Sequence, residues 1–319
     1  ILAAGKGTRM KSELHKVLHP IAGRPMLEHL MASVDALGPS RTVLVAGHNS
    51  DQLEKAVGSR AVLALQEPQL GTGHAVQQAA AALEGFAGDV LILYGDVPFV
   101  RSETLEAMLE RLHAADAPAV VVLGFEPEDA GHYGRVIAGG DGRIARMVEF
   151  KDASAEERAC RLCNSGLMAV RGEDLFDLLA RVGNDNAQGE YYLVDIVNVA
   201  RNEGRASAVV VTDRPSEVTG INSRGELAAA EAQWQRFRRE EAMAEGASLR
   251  APETVFFSYD TRLGRDVVIE PNVVFGPGVT VHDDVCIKAF SHLEGCEIHS
   301  GAQVGPFARL RPGAVLEQD

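Results

Sequence analysis

At 319 residues the chain is too long for one compact core, and its length predicts two domains. Hydrophobic residues make up 46% and charged residues 24%, the balance of a soluble, well-buried protein, and no run approaches the roughly 18 to 20 apolar residues that span a bilayer as a helix. The net charge of −14 argues against a general nucleic-acid or membrane surface, so neither nucleic-acid binding nor membrane insertion is expected.

The chain opens at Ile1 and runs straight into a glycine-rich loop, which is not the layout of a signal peptide, and a cytoplasmic protein is expected. It has no initiator Met, so it is expected to begin a few residues inside its natural sequence. Through residues 1–222 short apolar runs alternate with helical patterns. Strands are predicted at 1–4, 42–46, 62–65, 90–94 and 119–123, and helices at 25–36, 50–57, 74–83 and 102–115. Strands that are apolar throughout and separated by helices predict a Rossmann-like α/β domain, a mostly parallel sheet with helices on both faces. Ligands of such folds sit at the carboxyl ends of the strands.

Residues 223–246 read as one linker helix rich in alanine and charge, with Trp234 and Phe237 as its large apolar anchors and Gly246 at its end. In residues 247–319 a six-residue period takes over. Leu263, Ile269, Phe275, Val281, Ile287 and Leu293 keep it, and after a slip of one residue Ile298, Val304 and Leu310 resume it. Val267, Val273, Val279 and Val285 form a second set with the same period. Such hexapeptides predict a left-handed parallel β-helix with aliphatic residues inside and Gly, Asn and Asp at the corners. The last hexads reach Asp319 without a cap, so the β-helix is expected to be truncated and the natural protein to continue.

Between Ile1 and Arg24 five bases (Lys6, Arg9, Lys11, Lys16, Arg24) face one acid, Glu13, and in an acidic protein this predicts a small anionic ligand. Gly5 and Gly7 let the backbone approach a phosphate closely. A dinucleotide loop would need glycine where Met10 stands, and a P-loop would need Gly-Lys-Ser/Thr where Gly7 is followed by Thr8, so both are excluded. Cys160 and Cys163 form a C-x-x-C, but Cys286 and Cys296 are too far apart to complete a zinc site, and reduced thiols are expected. The histidines show no metal spacing, and His15, His19 and His48 are expected at the surface or in loops.

The runs L-A-A-G-K-G-T-R-M at 2–10, K-V-L at 16–18, G-R-P-M at 23–26, L-G-T-G-H-A at 70–75 and Y-G-D-V-P at 94–98 resemble the signature of the sugar nucleotidyltransferases. So do Gln66, Y-G-R at 133–135, E-F-K-D at 149–152, N-S-G at 164–166, G-E-Y-Y at 189–192 and G-I-N at 220–222. With the hexapeptide tail, the whole chain is similar to the family that joins an N-acetylglucosamine-1-phosphate uridylyltransferase to a glucosamine-1-phosphate N-acetyltransferase. The one departure is His15, which stands where many relatives carry proline before the motif lysine.

The resemblance implies a magnesium-dependent transfer of UMP from UTP to N-acetylglucosamine 1-phosphate, giving UDP-N-acetylglucosamine and pyrophosphate for bacterial cell-wall and lipopolysaccharide precursors. It places Leu2, Ala3, Ala4, Gly5, Lys16, Tyr94, Gly95 and Asp96 at the nucleotide sugar, and Gln66, Gly71 and Thr72 at the uracil. An amide side chain offers the donor and acceptor that an imide edge needs. Gly134, Glu149 and Asn164 match the positions that hold the N-acetylglucosamine, and Asp96 and Asn222 the metal ligands, a carboxylate and an amide oxygen that suit Mg²⁺. Asn222 alone would read as a helix N-cap before Ser223, and Glu149 as a partner for Lys151. Arg9 and Lys16 are expected to offset charge on the transferring phosphoryl group and the leaving pyrophosphate.

Arg311 matches a position near the acetyltransferase acceptor site, with Arg309 a close competitor. The remaining acetyl-CoA contacts of the family lie in later coils, so acetyltransferase activity is expected of the full-length protein and not of this chain. A homotrimer is also implied. The nearest alternative is the same reaction with another base or sugar, such as a glucose-1-phosphate thymidylyl- or adenylyltransferase. A silent nucleotide-sugar-binding subunit is a second, and it would be expected to have lost Arg9, Lys16 or the metal ligands, all of which are present.

Overall fold

The computed structural model describes residues 1–48 and 50–318. Asp319, where the expected β-helix domain ends, lies outside the described residues. The chain divides into two units, one of Ile1–Leu18 with Met26–Asn222 and one of His19–Pro25 with Ser223–Asp319. The sequence reading kept residues 19–25 with the first domain. In the structure they form the hairpin Pro20–Ile21 and Arg24–Pro25 of the second unit.

In the first unit Leu2–Ala3, Val43–Ala46 and Val62–Leu65 run parallel, with Leu2 opposite Val45 and Val43 opposite Val62. Leu2 also bridges Tyr94 in parallel, its amide donating to Leu93 O at 2.7 Å and its carbonyl accepting from Gly95 N at 2.9 Å. These bonds carry the pairing on to Asp89–Ile92 and then to Cys163–Arg171, a strand absent from the sequence reading. Cys163–Arg171 runs antiparallel to both Asp89–Ile92 and Val120–Phe125, so this half of the α/β domain is mixed. Val120–Phe125 pairs in parallel with Ser207–Thr212 at the edge, and the hairpin Arg135–Ala138 with Ile144–Val148 joins at the pair Cys163–Arg135.

Why the central strand is apolar at every position is clear from its two faces. Val120 and Val122 pack with Leu175, Leu178, Ile196 and Val197, whereas Val121, Leu123 and Phe125 pack with Leu30, Val34, Leu105 and Met108. Successive side chains point to opposite faces, so burial on both sides requires an unbroken apolar run. Each such side chain contributes about 1.5–3 kcal/mol.

In the second unit Ser223 caps the helix Arg224–Ala244 through a capping box with Glu226. Trp234 packs on the β-helix core, whereas Phe237 is exposed and is not among the described residues packed against it. The buried Gln235 takes that part instead: its Nε2 donates to Phe257 O at 2.7 Å and its Oε1 accepts from Phe257 N at 2.8 Å. The hairpin is held by Ala22, whose amide donates to Glu231 at 2.6 Å and whose carbonyl accepts from Tyr259 N at 2.9 Å. His15 and His19 lie in irregular segments, as expected, but both are buried, and the His15 amide donates to Gln52 Oε1 at 2.8 Å.

The hexads stack into a parallel β-helix of three ladders. Val268 pairs with Cys286, a step of 18 residues, and Cys286 with Gln303, a step of 17. The short coil is the one-residue slip seen in the sequence. Val267, Val273, Val279 and Val285 are buried together with Ile269, Phe275, Val281, Ile287, Leu293, Ile298 and Val304. Corners fall at the positive-φ residues Asp266, Asn272, Gly278 and Asp284, types that tolerate that backbone, and then at Phe290 and Phe307, which stack on each other with centroids 5.3 Å apart. Among the described residues no helix is long and apolar enough to cross a membrane, and all four cysteines are free thiols.

Candidate active site

The carboxyl ends of the parallel strands open into a cavity of about 500 Å³ lined by Leu2, Ala3, Ala4, Gly5, Lys16, Gln66, Gly71, Thr72, Tyr94 and Asp96. Its wall begins where Leu2–Ala3 runs out into the glycine loop. Gly7 has φ +59°, and a Cβ there would meet Lys16 Cβ at 2.8 Å, so glycine lets the loop lie against the lysine stem. Lys16 follows the short helix Thr8–Met10, which is pinned by the buried Met10.

Lys16 Nζ donates to Asp96 Oδ2 at 2.5 Å and to Asn222 Oδ1 at 3.0 Å, with the Lys16 and Asp96 side chains only 12% and 16% exposed. Asp96 sits just past the strand Asp89–Ile92, and its carbonyl accepts from Ile221 N at 2.9 Å, which holds the 220–222 turn beside it. Ser223 caps the following helix, so the Asn222 side chain is spent on the lysine rather than on a cap. A buried ammonium bridging a carboxylate and an amide oxygen marks a point with the charge and the hard oxygen donors of a divalent-cation site.

On the opposite wall Gln66, 4% exposed, donates Nε2 to Gly71 O at 2.9 Å and lies 3.1 Å from His74 Nδ1. The bond to Gly71 O fixes the orientation of the amide and leaves its carbonyl end as an acceptor. Gly71 has φ +113°, and a Cβ there would meet Tyr191 O at 2.6 Å and Tyr191 N at 2.8 Å. That close approach lets Tyr191 N donate to Leu70 O at 2.9 Å and Gly73 N to Tyr191 O at 2.8 Å. Thr72 Oγ1 accepts from Leu193 N at 3.0 Å.

A second group of the sequence-predicted residues lies beyond Tyr94. Asn164 N donates to Gly134 O at 2.9 Å, and the Glu149 carboxylate lies beside Gly134. Asn164 Oδ1 accepts from Gly166 N at 2.9 Å, and a Cβ on Gly166 would strike the Tyr94 ring at 2.7 Å. Burial pushes the Tyr94 hydroxyl well above its usual range, assisted by the nearby Glu149 charge. Glu149 itself is raised, chiefly by desolvation and then by the charges of Asp195 and Asp152. Lys151 is bonded to Gln188 at 2.6 Å and gives Glu149 no pairing there.

Gly95 follows Tyr94 with its amide on Leu2 O. Arg9 stands exposed on its short helix, outside the residues that line the cavity, and Arg311 is exposed in the turn after Arg309–Leu310. Sequence reasoning missed Gln69 and Asp195, and quoted Glu190 only within the G-E-Y-Y run, with no role of its own. Gln69 and Glu190 line the cavity, and Gln69 Nε2 donates to Ala4 O. Gln69 lies next to the L-G-T-G-H-A run and Glu190 inside the G-E-Y-Y run, which was the available signal. Asp195 begins the helix Asp195–Asn202 and is itself raised by burial, but a carboxylate in a first helical turn looks ordinary in sequence.

Residues 1–158 match the family described as the MobA-like NTP transferase domain, and residues 260–295 match the bacterial transferase hexapeptide with six repeats. The bifunctional protein GlmU of Sphingopyxis alaskensis is 72% identical over 99% of this chain and 70% of its own length. The GlmU proteins of Novosphingobium aromaticivorans and Zymomonas mobilis are 72% and 54% identical, over 86% and 100% of this chain and 61% and 71% of theirs. The chain thus spans about two thirds of the length of these relatives. An NTP transferase cavity on one unit and hexapeptide coils on the other, with identity of this order along the whole chain, show that it belongs to the family of bifunctional GlmU proteins.

Proposed function

We propose that the first unit transfers UMP from UTP to N-acetylglucosamine 1-phosphate, giving UDP-N-acetylglucosamine and pyrophosphate with Mg²⁺ as cofactor. The observation that carries this reading is the meeting of Lys16, Asp96 and Asn222 at one edge of a cavity whose other edge is Gln66, Gly71 and Thr72. Charge-handling groups at one edge and a hydrogen-bonding base wall at the other are what a nucleotide needs.

Gln66, its amide oriented by the bond to Gly71 O, presents an acceptor that suits the uracil N3–H. The chain amides after Gly5 take the phosphates, and Gly134, Glu149 and Asn164 take the sugar hydroxyls and the acetamido group. A phosphate oxygen of the sugar phosphate then forms a bond to the α-phosphorus as the bond to the pyrophosphate oxygen breaks. No side-chain nucleophile is required, because positioning and charge neutralisation suffice. Lys16 offsets charge on the transferring group, and Arg9, exposed beside the loop, does so on the leaving pyrophosphate. The Asp96 carboxylate and the Asn222 amide oxygen would hold Mg²⁺, which when bound supplies further positive charge and orients the phosphate oxygens. Lys16 would then exchange its two protein partners for phosphate.

Pyrophosphate release from UTP tests this, with N-acetylglucosamine 1-phosphate or glucose 1-phosphate and with or without Mg²⁺. Mg²⁺-dependent release with the N-acetylated sugar alone is expected. Release only with glucose 1-phosphate would overturn the substrate, and none with either sugar from folded protein would overturn the reaction. For the full-length protein the proposal extends to acetyl transfer from acetyl-CoA to glucosamine 1-phosphate, with Arg311 at the acceptor site, and to a homotrimer that sedimentation would detect.

A further inference from the structure

The β-helix places equivalent positions of successive coils directly above one another. Its register pairs Thr280 with Glu297 and Glu297 with Val315. Two residues on, the ladder still holds, because His282 N donates to Ile298 O and His299 N to Leu316 O, each at 2.9 Å. His282, His299 and Glu317 therefore form one column on the outer surface, and Glu297 projects from the same face two residues before His299.

The side chains have converged. His282 Nε2 lies 2.8 Å from Glu297 Oε1, and His299 Nε2 lies 3.8 Å from the same oxygen. One ligand atom from each of His282, Glu297 and His299 falls within 4.8 Å of the other two. On its far side the His299 ring turns Nδ1 to Glu317 Oε2 at 3.3 Å. An ordinary surface ion pair needs one imidazole and one carboxylate. Here a second imidazole points its other nitrogen at the pair, and a second carboxylate sits behind it.

We propose that His282, Glu297 and His299 form a binding site for a borderline divalent transition-metal ion of the Zn²⁺ type, which ties two adjacent coils together. Bonds of about 2.0–2.1 Å in tetrahedral geometry set ligand atoms about 3.4 Å apart, and the observed 2.8 and 3.8 Å separations bracket that value. Small side-chain rotations complete the set. Glu317 is a positioning residue: its carboxylate accepts a hydrogen bond from His299 Nδ1–H, which leaves Nε2 with its lone pair toward the ion, the usual support behind a metal-bound imidazole. Two imidazoles select against Mg²⁺ and Ca²⁺, which prefer oxygen, and three protein ligands leave one position for water. The site is independent of the nucleotidyl-transfer reading, since none of its residues lines that cavity.

The test is calorimetric titration of the tag-free chain with Zn²⁺ in saturating Mg²⁺, which occupies the hard-oxygen site. One saturable equivalent is expected, together with a rise in unfolding temperature on adding Zn²⁺. Glu317→Gln should weaken binding about 10- to 100-fold, and His282→Ala or His299→Ala at least as much. These side chains are at the surface, and a far-UV spectrum unchanged in each variant shows that folding is retained. Absence of a saturable equivalent would overturn the proposal. So would an equivalent that persists undiminished in the His282→Ala, His299→Ala double variant, which would place the ion elsewhere.

Discussion

Lys16 and Asp96, 80 residues apart in the chain, meet with 2.5 Å between ammonium nitrogen and carboxylate oxygen, and Asn222 joins the lysine from the other end of the same unit at 3.0 Å. The contact ties the glycine loop, the end of a central strand and the last turn of the unit to a single point. It also compensates three polar groups that would be costly to bury alone.

Asp96→Asn keeps the shape and a hydrogen-bond acceptor for Lys16 but removes the charge. If the carboxylate holds the cation, pyrophosphate release should fall at least about a hundredfold, roughly 3 kcal/mol of transition-state stabilisation, while a cooperative unfolding transition remains. Arg9→Ala should lower turnover by a similar factor with no change in unfolding, because the side chain is exposed. Near-normal turnover in either variant would remove that residue from the mechanism.

Gly71→Ala tests the base wall. The added methyl would lie 2.6 Å from Tyr191 O on a backbone at φ +113°, so both the steric contact and the dihedral are unfavourable. Backbone strain of this kind costs about 1–3 kcal/mol. The 189–192 segment must move, and Gln66 loses its fixed partner at Gly71 O. A raised KM for UTP with a smaller change in KM for the sugar phosphate is expected from initial-rate kinetics. Equal changes in both would place Gly71 in general stability rather than base recognition.

Much of this arrangement was legible in the sequence, and the limits of that legibility are physical. The strand Val120–Phe125 is buried on both faces and so announces itself as an apolar run. Cys163–Arg171 did not, because its first half, C-N-S-G, carries polar side chains and a bulge between Asn164 and Met168. The hexad period was readable because each apolar hit is a core residue, and even the slip near Leu293 is a real 17-residue coil. The hairpin at residues 19–25 is too short for any period, and its membership of the second unit depends on Ala22 bonding to Glu231 and Tyr259, which only the structure reveals. Gln235 likewise reads as one polar residue among many in a helix, although it is buried and doubly bonded to Phe257.

Glu149 gives a pH dependence whose sign follows from its surroundings. Burial and the charges of Asp195 and Asp152 raise its carboxyl above the unfolded value of about 4.3. The folded state therefore holds the proton more tightly, so the contribution to stability is fully present below that pH and is lost as pH rises through the folded value. Glu149→Gln removes the ionisation. The variant should unfold at a higher temperature than the parent at neutral pH, and the difference should shrink as pH falls toward 4. If Glu149 accepts sugar hydroxyls, the same change should raise KM for N-acetylglucosamine 1-phosphate. Thermal scans across pH and initial rates at pH 7 separate the two effects, and a stability difference that grows on acidification would reverse the assignment.

Val274 and Phe275 are neighbours on one two-residue strand and point to opposite sides of the β-helix wall. Phe275 is 3% exposed and lies against Phe257 with centroids 5.0 Å apart, whereas Val274 is 36% exposed. Phe275→Ala should cost about 3–5 kcal/mol, since stacked coils leave little room to collapse around the cavity. Val274→Ala should stay within about 0.5 kcal/mol. The chain has a single tryptophan, Trp234, and it packs on this core, so its fluorescence follows urea unfolding of the second unit. A large loss at Phe275 with none at Val274 is what an inward-facing hexad predicts. Comparable losses at both would mean that the outer face of this strand is also covered, which is the arrangement a neighbouring subunit would produce.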